Sequence, residues 1–181
     1  GLDYDALDVK TARWHDDYNA FKNVVKDLEV MYTNVVNNIA FEGVRRVPDC
    51  VALLEMFHAL AVRPAVKRCV EKRVTETLRL FKAFVDATRL EFDRNKDAPP
   101  LRPNEPQYAG AALWAQGLGA LVEESWGALA RARFLFATPE KRAEARDAEA
   151  HHRKFATAVN DYKVGRYEAW KAALELLDPT T

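Results

Sequence analysis

Cysteine is scarce in this chain: Cys50 and Cys69 are the only two in 181 residues. Their spacing suits no metal-ligand set and both fall within helical patterns, so reduced thiols in an intracellular protein are expected rather than a disulfide framework. Isoleucine occurs once, at Ile39. With Ala, Leu, Glu, Arg and Lys abundant, the bias is to helix over strand. Net charge is absent as well, since 27 basic and 27 acidic side chains cancel. A balanced chain sets up no global field for nucleic acid or for an anionic membrane, which argues against both as main partners. No apolar run approaches the roughly 20 residues that span a bilayer, and no secretory leader is visible. The phosphate-cradling GxxxxGK[ST], the dinucleotide GxGxxG, the nucleophile elbow GxSxG and the zinc motif HExxH are all missing. No residue is therefore assigned a catalytic, cofactor-binding or metal-binding role, and no residue is singled out as the partner-binding site.

What is present is punctuation by proline. Each of the eight prolines sits between apolar-periodic segments and none inside one. Proline lacks the N–H that continues a helix and its ring clashes with the preceding turn, so these residues mark where helices stop and start. The densest cluster is Pro99, Pro100, Pro103 and Pro106. The chain reads as an all-α, elongated antiparallel bundle of about five helices. A poorly defined entry segment covers 1–12, a first helical unit 13–98, a proline-rich joint 99–106 and a second helical unit 107–181.

The first helix is expected from about Arg13 to Phe41, with Phe21, Val24, Val25, Leu28, Met31, Val35 and Ile39 as one apolar stripe and Gly43 as its stop. A short helix follows Pro48 and Asp49, with Leu53, Leu54, Phe57 and Leu60 inward. The third starts at Pro64, carries Val66, Cys69, Val70, Val74, Leu78, Phe81, Val85 and Phe92, and fades by Asn95; it would be roughly 45 Å long. The fourth spans about Gln107 to Phe134, with Leu113, Trp114, Leu118, Leu121, Trp126 and Leu129 on its stripe. Gly117, Gly119 and Gly127 weaken it, unless they admit a close neighbour or a kink. Thr138, Pro139 and Glu140 form a helix entry: a capping hydroxyl, a first-turn proline and an acid at the positive end of the dipole. The last helix runs to about Leu177 and, at about 38 residues, would exceed 55 Å. Helices this long in a chain this small make a rod rather than a sphere. No internal repeat is visible. The opening on Gly1, without start-of-protein logic in 1–10, leads to the expectation of a piece of something larger.

Several clusters look like chemistry. Glu55 with His58 and Glu149 with His152 are two Glu-x-x-His motifs, as in the di-iron site of ferritin-like bundles, where all six ligands must project into the core. At 100° per residue Glu55 falls nearly opposite the face of Leu53, Leu54, Phe57 and Leu60, and Glu149 does not join the stripe of Phe155, Val159 and Tyr162. Solvated helix residues explain them better. Trp14, His15, Asp16, Asp17 and Tyr18 read as capping and packing at a helix start. Arg63, Lys67, Arg68, Lys72 and Arg73 place cations at the unfavourable end of the third helix, which calls for either a solvated face or compensating acids. The mixed charges from Lys141 to Lys154 suit a soluble, locally paired helix. Trp14, Trp114, Trp126 and Trp170 read mostly as core, with room for an interface anchor among them.

Three stretches carry a family resemblance: Asp17–Leu28 leading into Ile39, Ala40 and Phe41; Leu53–Phe57 with Arg63 and Pro64 shortly after; and Pro99–Pro106 followed by Ala109–Leu118, with Gly110 and Trp114 at its centre. In order and spacing they resemble the N-terminal tail of dynein heavy chains, most closely the axonemal ones, over roughly Trp14 to Leu174. The spacing of Pro103 and Pro106, and the glycines at 117 and 119, depart from the family pattern.

The resemblance implies a non-catalytic segment of a very large microtubule motor, with the ATP-hydrolysing ring elsewhere and no cofactor in this segment. It implies a scaffold that associates with other heavy chains and with intermediate and light chains (or with actin and light chains in a single-headed inner arm). Through them it would anchor the motor to the axonemal doublet microtubule of a cilium or flagellum, within the cytoplasmic cytoskeleton. Stiff helices joined by fixed bends would transmit the power stroke. The alternatives are a stand-alone helical adaptor or spectrin-like coiled-coil module, disfavoured by the missing repeat, and a ferritin-like oxidase, disfavoured by the helix faces.

Overall fold

The computed structural model describes residues 12–177, among which there are α-helices and no strand. The elements are α1 (Ala12–Asn34), running into a π-helical turn (Val35–Ile39), α2 (Val47–His58), α3 (Pro64–Asn95), α4 (Gln107–Arg131), a 3-10 turn (Arg133–Phe136) and α5 (Pro139–Leu177). The expected entry segment lies outside the described residues except for Ala12.

Proline begins these helices for a local reason. Pro64 and Pro139 each open a helix, where a missing N–H removes no intrahelical bond. Arg63, ahead of Pro64, is held extended at φ −83° and ψ 132°, as the proline ring requires of the residue before it. At α5, Thr138 Oγ1 accepts the Lys141 N–H at 3.3 Å. The Glu140 carboxylate is held below its usual range by its own backbone N–H and then by the Thr138 hydroxyl. The joint ends in a turn from Arg102 to Glu105, closed by the Glu105 N–H on the Arg102 carbonyl at 3.1 Å. Pro103 occupies the second position and Asn104 the third at φ 68°, the residue chemistry of a type II turn. Gly43, at φ 73°, ends the first helical run in the left-handed conformation that glycine tolerates best.

Helices α3, α4 and α5 form the rod. Phe81 meets Trp126 at 5.8 Å and Phe92 meets Trp114 at 5.8 Å, so α3 and α4 are antiparallel. Trp126 stacks on His152 and Trp114 meets Tyr162, so α4 and α5 are antiparallel and α3 and α5 parallel. The short α2 packs on α3 and α4 towards the end where α3 starts, and α1 adds its C-terminal turns to α3. One continuous core runs through Leu54, Val70, Leu78, Phe81, Val85, Leu129 and Phe155. It spans both sides of the joint. With 39 residues, α5 is about 58 Å long.

Three features differ from the sequence expectation. First, α1 stops at Asn34 and a π turn follows, which inserts a residue and rotates the face. Val36 is consequently fully buried, while Ile39 is 56% exposed. Second, α2 starts at Val47, so Val47, Cys50 and Val51 join Leu54 in the core, and Leu60, past the helix end, is exposed. Third, α4 turns Ala111, Ala115, Leu118 and Val122 inward and leaves Leu113 and Leu121 in solvent. Small side chains line this inner face because α4 lies close to its neighbours: a Cβ on Gly119 would touch Val159 at 3.4 Å. Gly117, by contrast, faces open space.

Candidate functional site

The residues that looked most like chemistry are not brought together. Glu55 and His58 are exposed on α2, and the His58 ring lies against Phe134 at 4.6 Å. Glu149 pairs with Arg153 at 2.5 Å. His152 stacks on Trp126, and its Nε2–H donates to Glu123 at 2.7 Å. Among the described residues no three His, Cys, Asp or Glu side chains converge as a metal-binding group. Trp14 and Tyr18 stack one turn apart at 5.1 Å, local packing of the expected kind. Asp16 and Asp17, however, lie beyond the first turn of α1, which holds no acid. Among the described residues no helix is long and apolar enough to cross a membrane.

The basic start of α3 finds part of its compensation in this chain. Arg63 reaches Glu29 of α1 at 3.5 Å and Lys72 reaches Glu76 at 4.0 Å. Arg73 pairs with Glu76 at 2.5 Å, and its guanidinium also donates to the carbonyls of Val36 and Asn37 in the π turn. Arg73 additionally lies 5.2 Å from the Phe41 ring centre. One side chain thus caps the irregular turn and ties α1 to α3, a role that sequence spacing did not reveal. Lys67 and Arg68 remain exposed. The thiols are both free: Cys50 is buried, which pushes its pKa up, and half-buried Cys69 accepts a hydrogen bond from Asn37 Nδ2 at 3.1 Å.

The joint is held from both sides. A Cβ on Gly110 would sit 3.0 Å from Leu101 Cδ2 and 3.2 Å from Glu105 Cβ, so glycine lets the joint fold back closely on the first turn of α4. Glu105 also accepts the Arg102 N–H at 2.9 Å. At the end of α3, the Lys96 carbonyl accepts from Tyr162 Oη and Arg166 Nη2 of α5, each at 2.8 Å. A cation at a helix C-terminus complements the dipole.

The surface most suited to function is apolar. Ahead of Glu29, α1 presents Tyr18, Phe21, Val24 and Leu28 to solvent, and Val30, Met31 and Tyr32 continue the exposure; Phe21 is 64% exposed. The seventeen residues from Ala12 to Leu28, about 25 Å of helix, precede the pair of Glu29 with Arg63. At the opposite end of the rod, α5 exposes Tyr167, Trp170 and Leu174. Isolated apolar residues on a surface are ordinary, whereas contiguous stripes mark interaction faces.

Comparison with known proteins identifies the pattern. Residues 1–178 match the family described as dynein heavy chain, N-terminal region 1. The chain is 36% identical over 178 residues to the dynein-1-beta heavy chain of the flagellar inner arm of Chlamydomonas reinhardtii, covering 96% of this chain and 4% of that protein. It is 35% identical over 169 residues to human dynein axonemal heavy chain 2, covering 93% of this chain and 4% of that protein. The dynein gamma chain of the flagellar outer arm of Chlamydomonas reinhardtii is 26% identical over 172 residues, covering 95% of this chain and 4% of its own length.

Proposed function

The chain belongs to the dynein heavy chain N-terminal region family, and on that premise we propose that it is a non-catalytic tail segment of an axonemal dynein heavy chain that scaffolds assembly of the motor complex. The partners in this reading are other heavy chains, intermediate chains and light chains, or actin and light chains if the parent is a single-headed inner arm. Through the complex, the segment contributes to anchoring the motor on the doublet microtubule of a cilium or flagellum. No cofactor is assigned to it, and ATP belongs to the motor ring elsewhere in the parent.

The observation that carries this reading is the solvent-facing apolar stripe of α1, with Phe21 64% and Met31 60% exposed. A helix bearing that stripe is suited to a covering partner. The rod supports the mechanical side of the proposal. Its core continues past the joint, so 99–106 acts as a fixed bend between a first unit (13–98) and a second (107–181), and load applied at one end reaches the other without a slack linker.

The test is the size and company of the native polypeptide. An antibody to this segment is used on ciliary or flagellar extract. The expected result is a giant polypeptide that is released with the axonemal motors and migrates with ATPase activity. A band near 20.5 kDa would overturn the reading in favour of a small helical adaptor.

A further inference from the structure

A groove unrelated to the α1 stripe lies where α4 ends and α5 begins. It is lined by Trp126 and Ala130 of α4, Arg133 and Phe136 of the 3-10 turn, and Arg142 and Arg146 of α5, and its volume is about 630 Å³. Its floor is apolar and fixed: Trp126 is wedged between Phe81 at 5.8 Å and the stacked His152 ring at 5.3 Å. Its rim is cationic. Arg133, Arg142 and Arg146 are all exposed. Arg142 donates to the Ala137 carbonyl at 3.0 Å, and Arg146 to the Arg142 carbonyl at 3.3 Å. These bonds orient the two guanidinium groups and leave their remaining N–H donors free for an anion.

The acids of the neighbouring turns are committed elsewhere. Glu140 accepts from its own helix N-terminus, Glu144 pairs with Lys141 at 3.2 Å, Asp147 with Lys82 at 2.7 Å and Glu149 with Arg153. A chain with zero net charge has therefore gathered three arginines around an aromatic floor, and the one carboxylate that lines the groove, Glu149, is already paired with Arg153.

The geometry points to a docking groove for an acidic, extended peptide segment of a partner protein. Arg142 and Arg146 stand one helical turn apart, a rise of about 6 Å. Carboxylates at alternate positions of an extended chain are about 6.6 Å apart and share a face with the next alternate residue. Two acids would thus meet the arginine pair, bidentate geometry suiting guanidinium to carboxylate, while an apolar side chain at the next alternate position reaches Trp126. Glu149 closes one end of the groove to acid and gives the segment a direction. This inference rests on the groove alone and stands or falls separately from the reading of α1.

The test is fluorescence anisotropy with the full 181-residue chain and a dye-labelled extended peptide carrying glutamates at two alternate positions and leucine at the next. The triple variant Arg133→Gln, Arg142→Gln, Arg146→Gln is expected to weaken binding by about 10-fold, near threefold for each of the two glutamate–arginine contacts. A second variant, Ala130→Glu, keeps the arginines and supplies them with an internal carboxylate; it is expected to weaken binding with unchanged helical circular dichroism. The control variant Lys67→Gln, Arg68→Gln is expected to leave binding unchanged. Absence of binding, or equal binding by the triple variant, would overturn the site. An equally charged oligonucleotide that binds as tightly as the peptide, or a peptide with leucine replaced by serine that binds as well, would overturn the occupant.

Discussion

Alanine in place of glycine should have opposite effects at two positions of the same helix, seven residues apart. At Gly117 nothing lies within 4 Å of an added Cβ, so Gly117→Ala gains helix propensity without a contact to disturb. The expected stabilisation is about 0.8–1 kcal/mol, a rise of roughly 2–4 °C in Tm for a domain of this size. At Gly110 the same methyl meets Leu101 Cδ2 at 3.0 Å and Glu105 Cβ at 3.2 Å. The leucine methyl ends a flexible side chain and can move. The Glu105 Cβ cannot retreat alone, because Glu105 is held by its N–H on the Arg102 carbonyl and by its carboxylate on the Arg102 N–H. Overpacking of this kind costs about 1–3 kcal/mol, which outweighs the propensity gain. Gly110→Ala is therefore expected to lower stability by about 1 kcal/mol, and the two variants to differ by about 2 kcal/mol. Urea unfolding followed by far-ultraviolet circular dichroism measures both. Equal stabilisation by the two substitutions would refute the account of how the joint seats on α4.

Other expectations follow from single contacts. Thr138→Ala should cost about 1 kcal/mol as loss of an N-cap, and lowering the pH has a related effect. Glu140 and Asp147 are both held below the usual carboxylate range, by the helix N-terminus and by Lys82 respectively. Their stabilisation is present above the unfolded carboxylate range and is lost as pH falls through the lowered folded values. Asp147→Asn should thus reduce the acid sensitivity of Tm. Tyr162→Phe removes one of two donors to the Lys96 carbonyl and should cost about 1 kcal/mol, with exchange protection lost first at the end of α3. Alkylation followed by mass spectrometry should modify half-buried Cys69 well before Cys50. Burial and then Asp49 raise the Cys50 pKa, so any stability linked to its neutral thiol is retained at neutral pH and lost only as pH rises above the ordinary thiol range.

Helix limits were legible because proline acts locally. Pro64, Pro139 and the 99–106 joint restrict backbone angles whatever the tertiary context, and the helices begin where these residues predict. Faces were less legible. The spacing of Leu113 and Leu121 suggested a core stripe, yet Ala111, Ala115 and Val122 occupy the inner side, because close helix approach favours small side chains over large ones. The π turn was invisible in Val35–Ile39, since an extra residue per turn leaves no marker in residue type. Its cap, Arg73, could not be told from the neighbouring Lys72 without knowing that α1 passes beside α3. The arginine groove escaped notice for a similar reason: Arg133 is in one element and Arg142 and Arg146 in another, and the run from Lys141 to Lys154 reads as balanced until the partners of each acid are known.

The apolar stripe of α1 makes the remaining prediction. An isolated helix of this length is marginal in water, and packing of its apolar face usually supplies the stability that propensity lacks. Ahead of the Glu29–Arg63 pair, Phe21, Val24 and Leu28 are exposed, while α3 buries Val70, Val74, Leu78 and Phe81 along its length. Covering a residue of the stripe would supply roughly 1.5–3 kcal/mol for each full side chain, more than enough to fix the helix. Hydrogen exchange read by mass spectrometry should then show residues 13–28 opening with a small free energy, and the middle of α3 exchanging only with global unfolding. In the intact complex, the same residues should gain protection of several orders of magnitude while α3 changes little. Protection of 13–28 in the separate chain equal to that of α3 would show that α1 needs no partner, and would remove the reason for reading its stripe as an assembly face.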